Sequence, residues 1–211
     1  MDATRGSRDG TTHDWAADAD AAHVAHIRRR AAEFAPGGPL HLVLEVLAYA
    51  ADEASDRGGG RCVVGLRPDG SLCVRDDGRG TDTRVAEDGR RVRKPVMATK
   101  DLRFFDFPGA EVLPDGRPRR GVSVVAALSE WLVHTNRRLD GAWTRRYEYG
   151  VPVTGLEPVE ADGTTGTLVR FVPDRSLVPG PVPEAADLSR LVGAWPHLEV
   201  RVDDRRTSDA P

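Results

Sequence analysis

Along residues 40–57 the apolar positions Leu40, Val43, Leu44, Leu47 and Ala51 return every three or four residues, which is the period of one face of an α-helix. Glu45, Tyr49 and Asp52 fall together on a different face, because offsets of four and seven come back to one side of a 3.6-residue turn. A carboxylate, a phenol and a carboxylate aligned on an otherwise apolar helix predict a lined pocket. Residues 22–34 are also helical in pattern, with Val24, Ile27 and Ala31 on one side and Arg28, Arg29 and Arg30 on a solvated side. Pro36-Gly37-Gly38-Pro39 separates the two helices. Pro39 suits a first turn, where its missing N–H has no intrahelical partner anyway.

The pattern then changes to alternation. Gly58-Gly59-Gly60 stops the helix, and 61–67 places Cys62, Val64 and Leu66 on one face of a strand. Pro68-Asp69-Gly70 is a turn, and 71–76 alternates again through Leu72 and Val74, which completes a β-hairpin. Residues 81–95 are polar with a turn at Glu87-Asp88-Gly89 and predict a loop or weak hairpin. Residues 96–107 predict one or two helical turns and an aromatic cluster, Phe104, Phe105 and Phe107, read as core. The turn-rich, basic stretch 108–120 predicts a mobile loop. Residues 121–128 are small and apolar on every side, and alanines and length favour a helix there over a buried strand. Strands follow at 131–138 and 142–149 about the turn Leu139-Asp140-Gly141, then at 168–172 and 198–202, with a short helix at 188–195.

This order defines an α+β chain, a two-layer sandwich with helices on one face of a mixed, largely antiparallel sheet. Its organisation reads as a flexible arm over 1–20, in which Trp15 alone is bulky and apolar enough to dock, one domain over 21–203 and a polar tail over 204–211.

Composition narrows the function only a little. A net charge of −3 over 211 residues gives no global footprint for nucleic acid or a membrane surface. No apolar run reaches the roughly 18 residues of a membrane span, and the polar, acidic start has no signal-peptide pattern, so the expected location is the cytoplasm. Lys94 and Lys100 are the sole lysines, a bias toward arginine that reads mainly as codon usage. Cys62 and Cys73 lie in paired strands where they could face each other. In a reducing cytoplasm they read as two small buried hydrophobes, and no metal-ligand spacing is present. His41 reads as a surface or capping residue.

Several segments, in order, resemble the ATP-binding subdomain of the gyrase B and topoisomerase IV family, a branch of the GHKL superfamily. They are 41–54, whose counterpart is E-V-x-D-N-A-x-D-E-A; Asp76-Asp77-Gly78-Arg79-Gly80; 121–129; 147–152; and 166–171. The resemblance implies a Bergerat-type fold and an adenine-nucleotide ligand. It makes Glu45 the general base, Asp76 the acceptor of the adenine amino group and Thr167 its support. Arg79, Gly80 and Met97 become pocket contacts and Arg138 an outer-edge arginine, while helical phase, rather than the resemblance, makes Asp52 the next pocket residue on the helix. Arg117, Arg119, Arg120 and Gly121 then form the lid. Two departures stand out. Tyr49 replaces the metal-binding asparagine, and a phenol is a poor ligand for a hard cation, which argues against Mg²⁺. The glycine-rich lid is rewritten as Asp115-Gly116-Arg117-Pro118-Arg119-Arg120-Gly121, which stiffens the loop and removes a backbone donor.

These residues support three readings. The first is a stand-alone adenine-nucleotide-binding protein with impaired or absent hydrolysis. The second is the same pocket repurposed for acid–base chemistry on another small molecule. The third is an ATPase subunit acting with partner chains. Relatives continue past the counterpart of Val202, so this sequence by itself is not expected to pass DNA strands. The expected partners are a nucleotide or other small molecule and a protein, without direct contact to nucleic acid or membrane.

Overall fold

The computed structural model describes residues 20–81, 83–85, 91–93 and 111–206. Helix α1 (Ala21–Arg29) opens with the Asp20 carboxylate accepting the His23 backbone N–H at 2.9 Å, a side-chain cap. Arg30 leaves helical geometry and separates α1 from the short α2 (Ala31–Phe34), so the first predicted helix is two pieces. Helix α3 (Gly38–Arg57) carries its proline in the first turn. It ends at a left-handed Gly58, with the Gly59 N–H returning to the Ala54 carbonyl at 2.7 Å. The apolar stripe read from its sequence is wider in the fold, since every residue from His41 to Ala48 is buried.

The predicted hairpin is β1 (Gly60–Leu66) with β2 (Leu72–Asp76), and the weak hairpin is β3 (Thr83–Val85) with β4 (Arg91–Arg93). Helix α4 (Val122–Ala127) is the apolar segment after the lid, and all six of its residues are buried. Strands β5 (Ser129–Arg138) and β6 (Gly141–Glu148) form the long central hairpin. The two-residue strands β7 (Val151–Pro152) and β8 (Glu157–Pro158), which the sequence pattern did not signal, both pair with β6. Strand β9 (Gly166–Pro173), helix α5 (Ala185–Leu191) with a 3-10 turn at Val192–Ala194, and β10 (Leu198–Asp204) complete the described chain.

The main sheet runs β10-β1-β2-β9-β5-β6-β7, and only the β10-β1 pair is parallel. This is the mixed, mostly antiparallel sheet expected. The helices cover the face on which rows of side chains cross the strands in register. Leu66, Leu72, Phe171, Leu132 and Tyr147 form one such row, all buried. Burying side chains of this size stabilises by about 1.5–3 kcal/mol each. Val64, Val74, Val169 and His134 form the next. One step further along the same face the row turns polar: Cys62 lies opposite Asp76, and Thr167 opposite Asn136. The site begins where the apolar rows end.

Three expectations change. Cys62 is paired with Asp76 and Cys73 with Gly65, which puts the two sulfurs on opposite faces of the sheet, both free and buried. His41 is fully buried rather than at the surface. Within the stretch expected to be a mobile loop, 111–120 forms a hydrogen-bonded turn. Val112 bridges Pro118, Leu113 N–H donates to the Arg117 carbonyl at 2.8 Å, and Arg119 N–H donates to the Glu111 carbonyl at 2.9 Å. Leu113 anchors this turn in the core, which the surrounding turn residues conceal in the sequence. Trp15, Met97, Phe104, Phe105 and Phe107 lie outside the described residues. No helix among the described residues is long and apolar enough to cross a membrane.

Candidate functional site

Asp76 ends β2 on the helix-covered face. Its Oδ1 accepts N–H groups from Gly78 at 2.8 Å and Thr167 at 3.2 Å, and its Oδ2 accepts the Thr167 hydroxyl in a short hydrogen bond. Burial pushes this carboxyl above its ordinary pKa, against the pull of those three donors. The close approach of β2 and β9 here depends on Gly166. Its φ is +115°, and a Cβ would lie 2.1 Å from the Asp76 carbonyl oxygen. The product is a fixed acceptor pair: Asp76 Oδ2 and Thr167 Oγ1 each keep a lone pair for a further donor.

The rim of this pair is the loop 78–81, held from three sides. Glu53 of α3 takes the Arg79 backbone N–H at 2.9 Å and clasps its guanidinium at 2.7 and 3.0 Å, and these contacts hold the Glu53 carboxyl below its usual range. Asn136 of β5 accepts the Thr81 N–H at 2.6 Å and donates to the Thr81 carbonyl at 3.2 Å, as a strand partner would. Arg138 donates to the Gly80 carbonyl at 3.2 Å. Sequence reading missed Asn136. It follows Leu132 and His134 at the two-residue period in the inward phase of β5, and a fully buried amide at such a position must find partners.

A second cluster lies along α3. Glu45, Tyr49 and Asp52 do share a face, and they face residues 119–122. The Glu45 Oε1 accepts the Arg120 N–H at 2.6 Å and Oε2 the Gly121 N–H at 2.9 Å. The Tyr49 hydroxyl accepts the Val122 N–H at 3.4 Å. Asp52 meets the Arg119 guanidinium through both oxygens, at 3.1 and 2.8 Å, and Glu111 meets the same guanidinium at 2.7 Å. That guanidinium also lies over the Tyr49 ring, 4.7 Å from its centroid. Burial opposes its charge, but the Asp52 and Glu111 carboxylates and the Tyr49 oxygen outweigh this and raise its pKa. Of the lid residues named from sequence, Arg119, Arg120 and Gly121 join this cluster. Arg117 is exposed, and its N–H donates to Asp115.

Glu45 is fully buried, and desolvation raises its pKa although both backbone donors, His41 and Arg119 act to lower it. His41, one turn earlier, places Nε2 3.6 Å from Glu45 Oε1 and Nδ1 2.7 Å from Asp115 Oδ2. A carboxylate, imidazole and carboxylate therefore run in line from the turn into the helix. The signal for His41 was its phase, one helical turn before Glu45. Asp52 and Glu53, adjacent on α3, tie the two clusters together, one holding Arg119 and the other Arg79.

An adenine base fits the acceptor pair of the first cluster, because an exocyclic amine needs an acceptor such as Asp76 Oδ2. Mg²⁺ does not fit the second. The oxygens of Glu45 and Asp52 are directed at backbone N–H groups and a guanidinium, the Tyr49 oxygen is a phenol, and a fixed cation already stands among them.

No family model matches the chain. Over 141 residues it is 33% identical to the B subunit of DNA topoisomerase 4 from Bacillus subtilis, a match covering 66% of this chain and 22% of that protein. It is 38% identical over 141 residues to the B subunit of DNA gyrase from Thermotoga maritima, covering 65% and 22%. The topoisomerase IV ATP-binding domain of Francisella tularensis, solved with a small-molecule inhibitor, superposes with a TM-score of 0.65 at 23% identity, covering 84% of this chain and 51% of that one. The fold is that of a GHKL-type ATP-binding domain. Within that class, the chain is a homologue of the ATPase region of the gyrase B and topoisomerase IV B proteins. The matched segment spans about a fifth of the length of those two relatives.

Proposed function

We propose that the chain is a gyrase-B-like adenine-nucleotide-binding protein in which ATP hydrolysis is impaired or absent. The observation that carries this reading is the contrast between the two clusters. The Asp76–Thr167 pair keeps acceptors turned toward a base, while both oxygens of Glu45 are occupied by the Arg120 and Gly121 N–H groups, with no exposed surface through which water could be activated. Titration calorimetry with adenosine, ADP and Mg-ATP tests it. Adenosine and ADP are expected to bind more tightly than Mg-ATP, and no binding of any of the three rejects the reading. Mg-dependent ATP turnover that vanishes in Glu45→Ala would instead establish an ATPase subunit working with partner chains.

A second reading draws on the Asp115–His41–Glu45 array, in which Asp115 is hydrogen-bonded to His41 and the His41 Nε2 stands 3.6 Å from Glu45 without a hydrogen bond, as a set of acid–base groups for a small molecule other than a nucleotide. Its mark is activity lost in Glu45→Gln and kept in Asp76→Asn. In either case we place the protein in the cytoplasm, acting on a diffusible ligand, with a protein as its further partner and without contact to nucleic acid.

A further inference from the structure

We infer that the Arg119 guanidinium is a resident cation standing in place of a divalent metal ion, so that the site takes its ligand metal-free. The inference deepens the adenine-nucleotide reading and rests on it for the identity of the ligand. The exclusion of metal rests on the second cluster alone.

A hard dication is held by six or more oxygens with lone pairs free to point at it. The stripe of α3 that faces residues 119–122 offers Glu45, Tyr49 and Asp52, and each is already committed. The two Glu45 oxygens accept two backbone N–H groups, the phenol oxygen faces the Val122 N–H, and both Asp52 oxygens lie against the Arg119 fork. Among the described residues no three His, Cys, Asp or Glu side chains converge where they could hold a metal ion. The charge such an ion would supply is present in another form. A guanidinium stays protonated at any working pH, and its planar fork matches the Asp52 carboxylate edge to edge. Tyr49 supplies the flat surface beneath it, a contact that a smaller amide at that position could not make. The arginine is about as buried as the apolar core, at 1% exposure, and its Nε–H has no hydrogen-bond partner. A buried unpaired donor costs stability unless an acceptor arrives. In the ligand-free fold that donor is covered, so an anionic oxygen of the ligand reaches it only where the 119–122 segment shifts on binding.

The test uses the full chain, with ADP titrated in EDTA and in Mg²⁺, adenosine as the phosphate-free control, and Mn²⁺ alone read by electron paramagnetic resonance on the ligand-free protein. In the wild type the two ADP affinities are expected to agree within about twofold, and Mn²⁺ is expected to remain free. Arg119→Ala is expected to lose about tenfold in metal-free ADP affinity and to keep its adenosine affinity. Where the alanine variant does not fold, Arg119→Lys decides. It keeps the charge without the fork and should still exclude Mn²⁺, so Mn²⁺ bound by it overturns the inference. So does Mn²⁺ bound by the wild type, or a wild-type ADP affinity that improves tenfold or more when Mg²⁺ replaces EDTA. Failure of adenosine and ADP to bind removes the adenine reading and the ligand half of this inference. The Mn²⁺ measurement still decides whether the cluster excludes metal.

Discussion

Asp52 presents both of its oxygens to the Arg119 guanidinium, at 3.1 and 2.8 Å, and so fastens the segment after the 111–118 turn to the last third of α3. Residues 115, 119, 120, 121 and 122 meet this helix at His41, Glu45, Tyr49 and Asp52, four contact points spaced by four, four and three positions. The segment is laced to one stripe rather than hung over it. The Arg119 end carries much of that attachment, because its head group is buried while the Asp52 and Glu111 side chains are half-exposed. Asp52→Asn is expected to lower unfolding stability by about 1–3 kcal/mol, since it leaves a buried guanidinium with one carboxylate partner. Urea denaturation of Asp52→Asn, Arg119→Ala and the double variant should show a coupling energy of about 0.5–3 kcal/mol. Strict additivity of the two single changes would mean that the pair contributes nothing.

Protonation of Glu45 should be visible in stability. Its folded pKa lies above the ordinary 4.5, because burial disfavours the charged form. The folded state therefore binds a proton more tightly than the unfolded chain does. The stability this contributes is complete below pH 4.5 and is lost as pH rises through the folded value. Asp76, raised from 3.8 for the same cause, acts in the same sense. Glu53, Asp174 and Asp203 are lowered and act in the opposite sense, so the difference between wild type and Glu45→Gln is the informative quantity. Relative to Glu45→Gln, the wild type should gain stability as pH falls from 7 toward 4.5. A difference that is flat or shrinks over that interval would contradict the raised pKa.

Most of the fold was legible because the rows that build it have simple periods. Leu66, Leu72, Phe171 and Leu132 alternate with outward residues on their own strands, and α3 repeats at the helical period. The site was legible in part. Glu45, Tyr49 and Asp52 were placed on one face by phase alone, and they do share one. Phase could not show what that face meets. Arg119 lies in a run of turn and charged residues that reads as solvated, and it is buried because two carboxylates and a ring converge on it from α3 and from the 111–118 turn. Such a contact spans 67 residues of chain and leaves no local signature. His41 was misjudged for the same reason, since its partner Asp115 is 74 residues away. The two-residue strands β7 and β8 escaped because the register of β6 selects them, not their own composition.

Asn136 should matter to ligand affinity although it has no place in the inherited motif. Its amide forms the two hydrogen bonds that fix Thr81, at 2.6 and 3.2 Å, and with Arg138 it holds the rim over the Asp76–Thr167 pair. Asn136→Ala leaves the Thr81 N–H without its partner and should cost about 1–3 kcal/mol of stability. Adenosine affinity should fall about tenfold through loss of the rim. Asn136→Asp keeps the acceptor for the Thr81 N–H but sets a carboxylate against the Thr81 carbonyl, so it should recover only part of either quantity. Calorimetry on the three proteins reads this directly. Equal adenosine affinity across them would show that the rim is not part of the binding surface.

Gly166 offers the sharpest test of how the acceptor pair is built, because a control glycine lies three residues away. At both Gly163 and Gly166 the backbone adopts a positive φ, +76° and +115°. A Cβ at Gly163 would meet nothing within 4 Å, whereas at Gly166 it would lie 2.1 Å from the Asp76 carbonyl oxygen and 3.0 Å from its Oδ1. Gly163→Ala should therefore cost only the backbone term, about 1–2 kcal/mol. Gly166→Ala must in addition push β2 and β9 apart at Asp76 and Thr167, beyond what a rotamer change can absorb, and should cost about 3 kcal/mol or more. Its effect on ligand should be larger still in proportion. Parting the strands breaks the Thr167 hydrogen bonds that orient the Asp76 carboxylate, so adenosine binding should disappear in Gly166→Ala and be unchanged in Gly163→Ala. Denaturation curves and titration calorimetry on the two variants measure both quantities. If Gly166→Ala were as stable as Gly163→Ala and still bound adenosine, the close approach of these strands would not be what sets the acceptor pair.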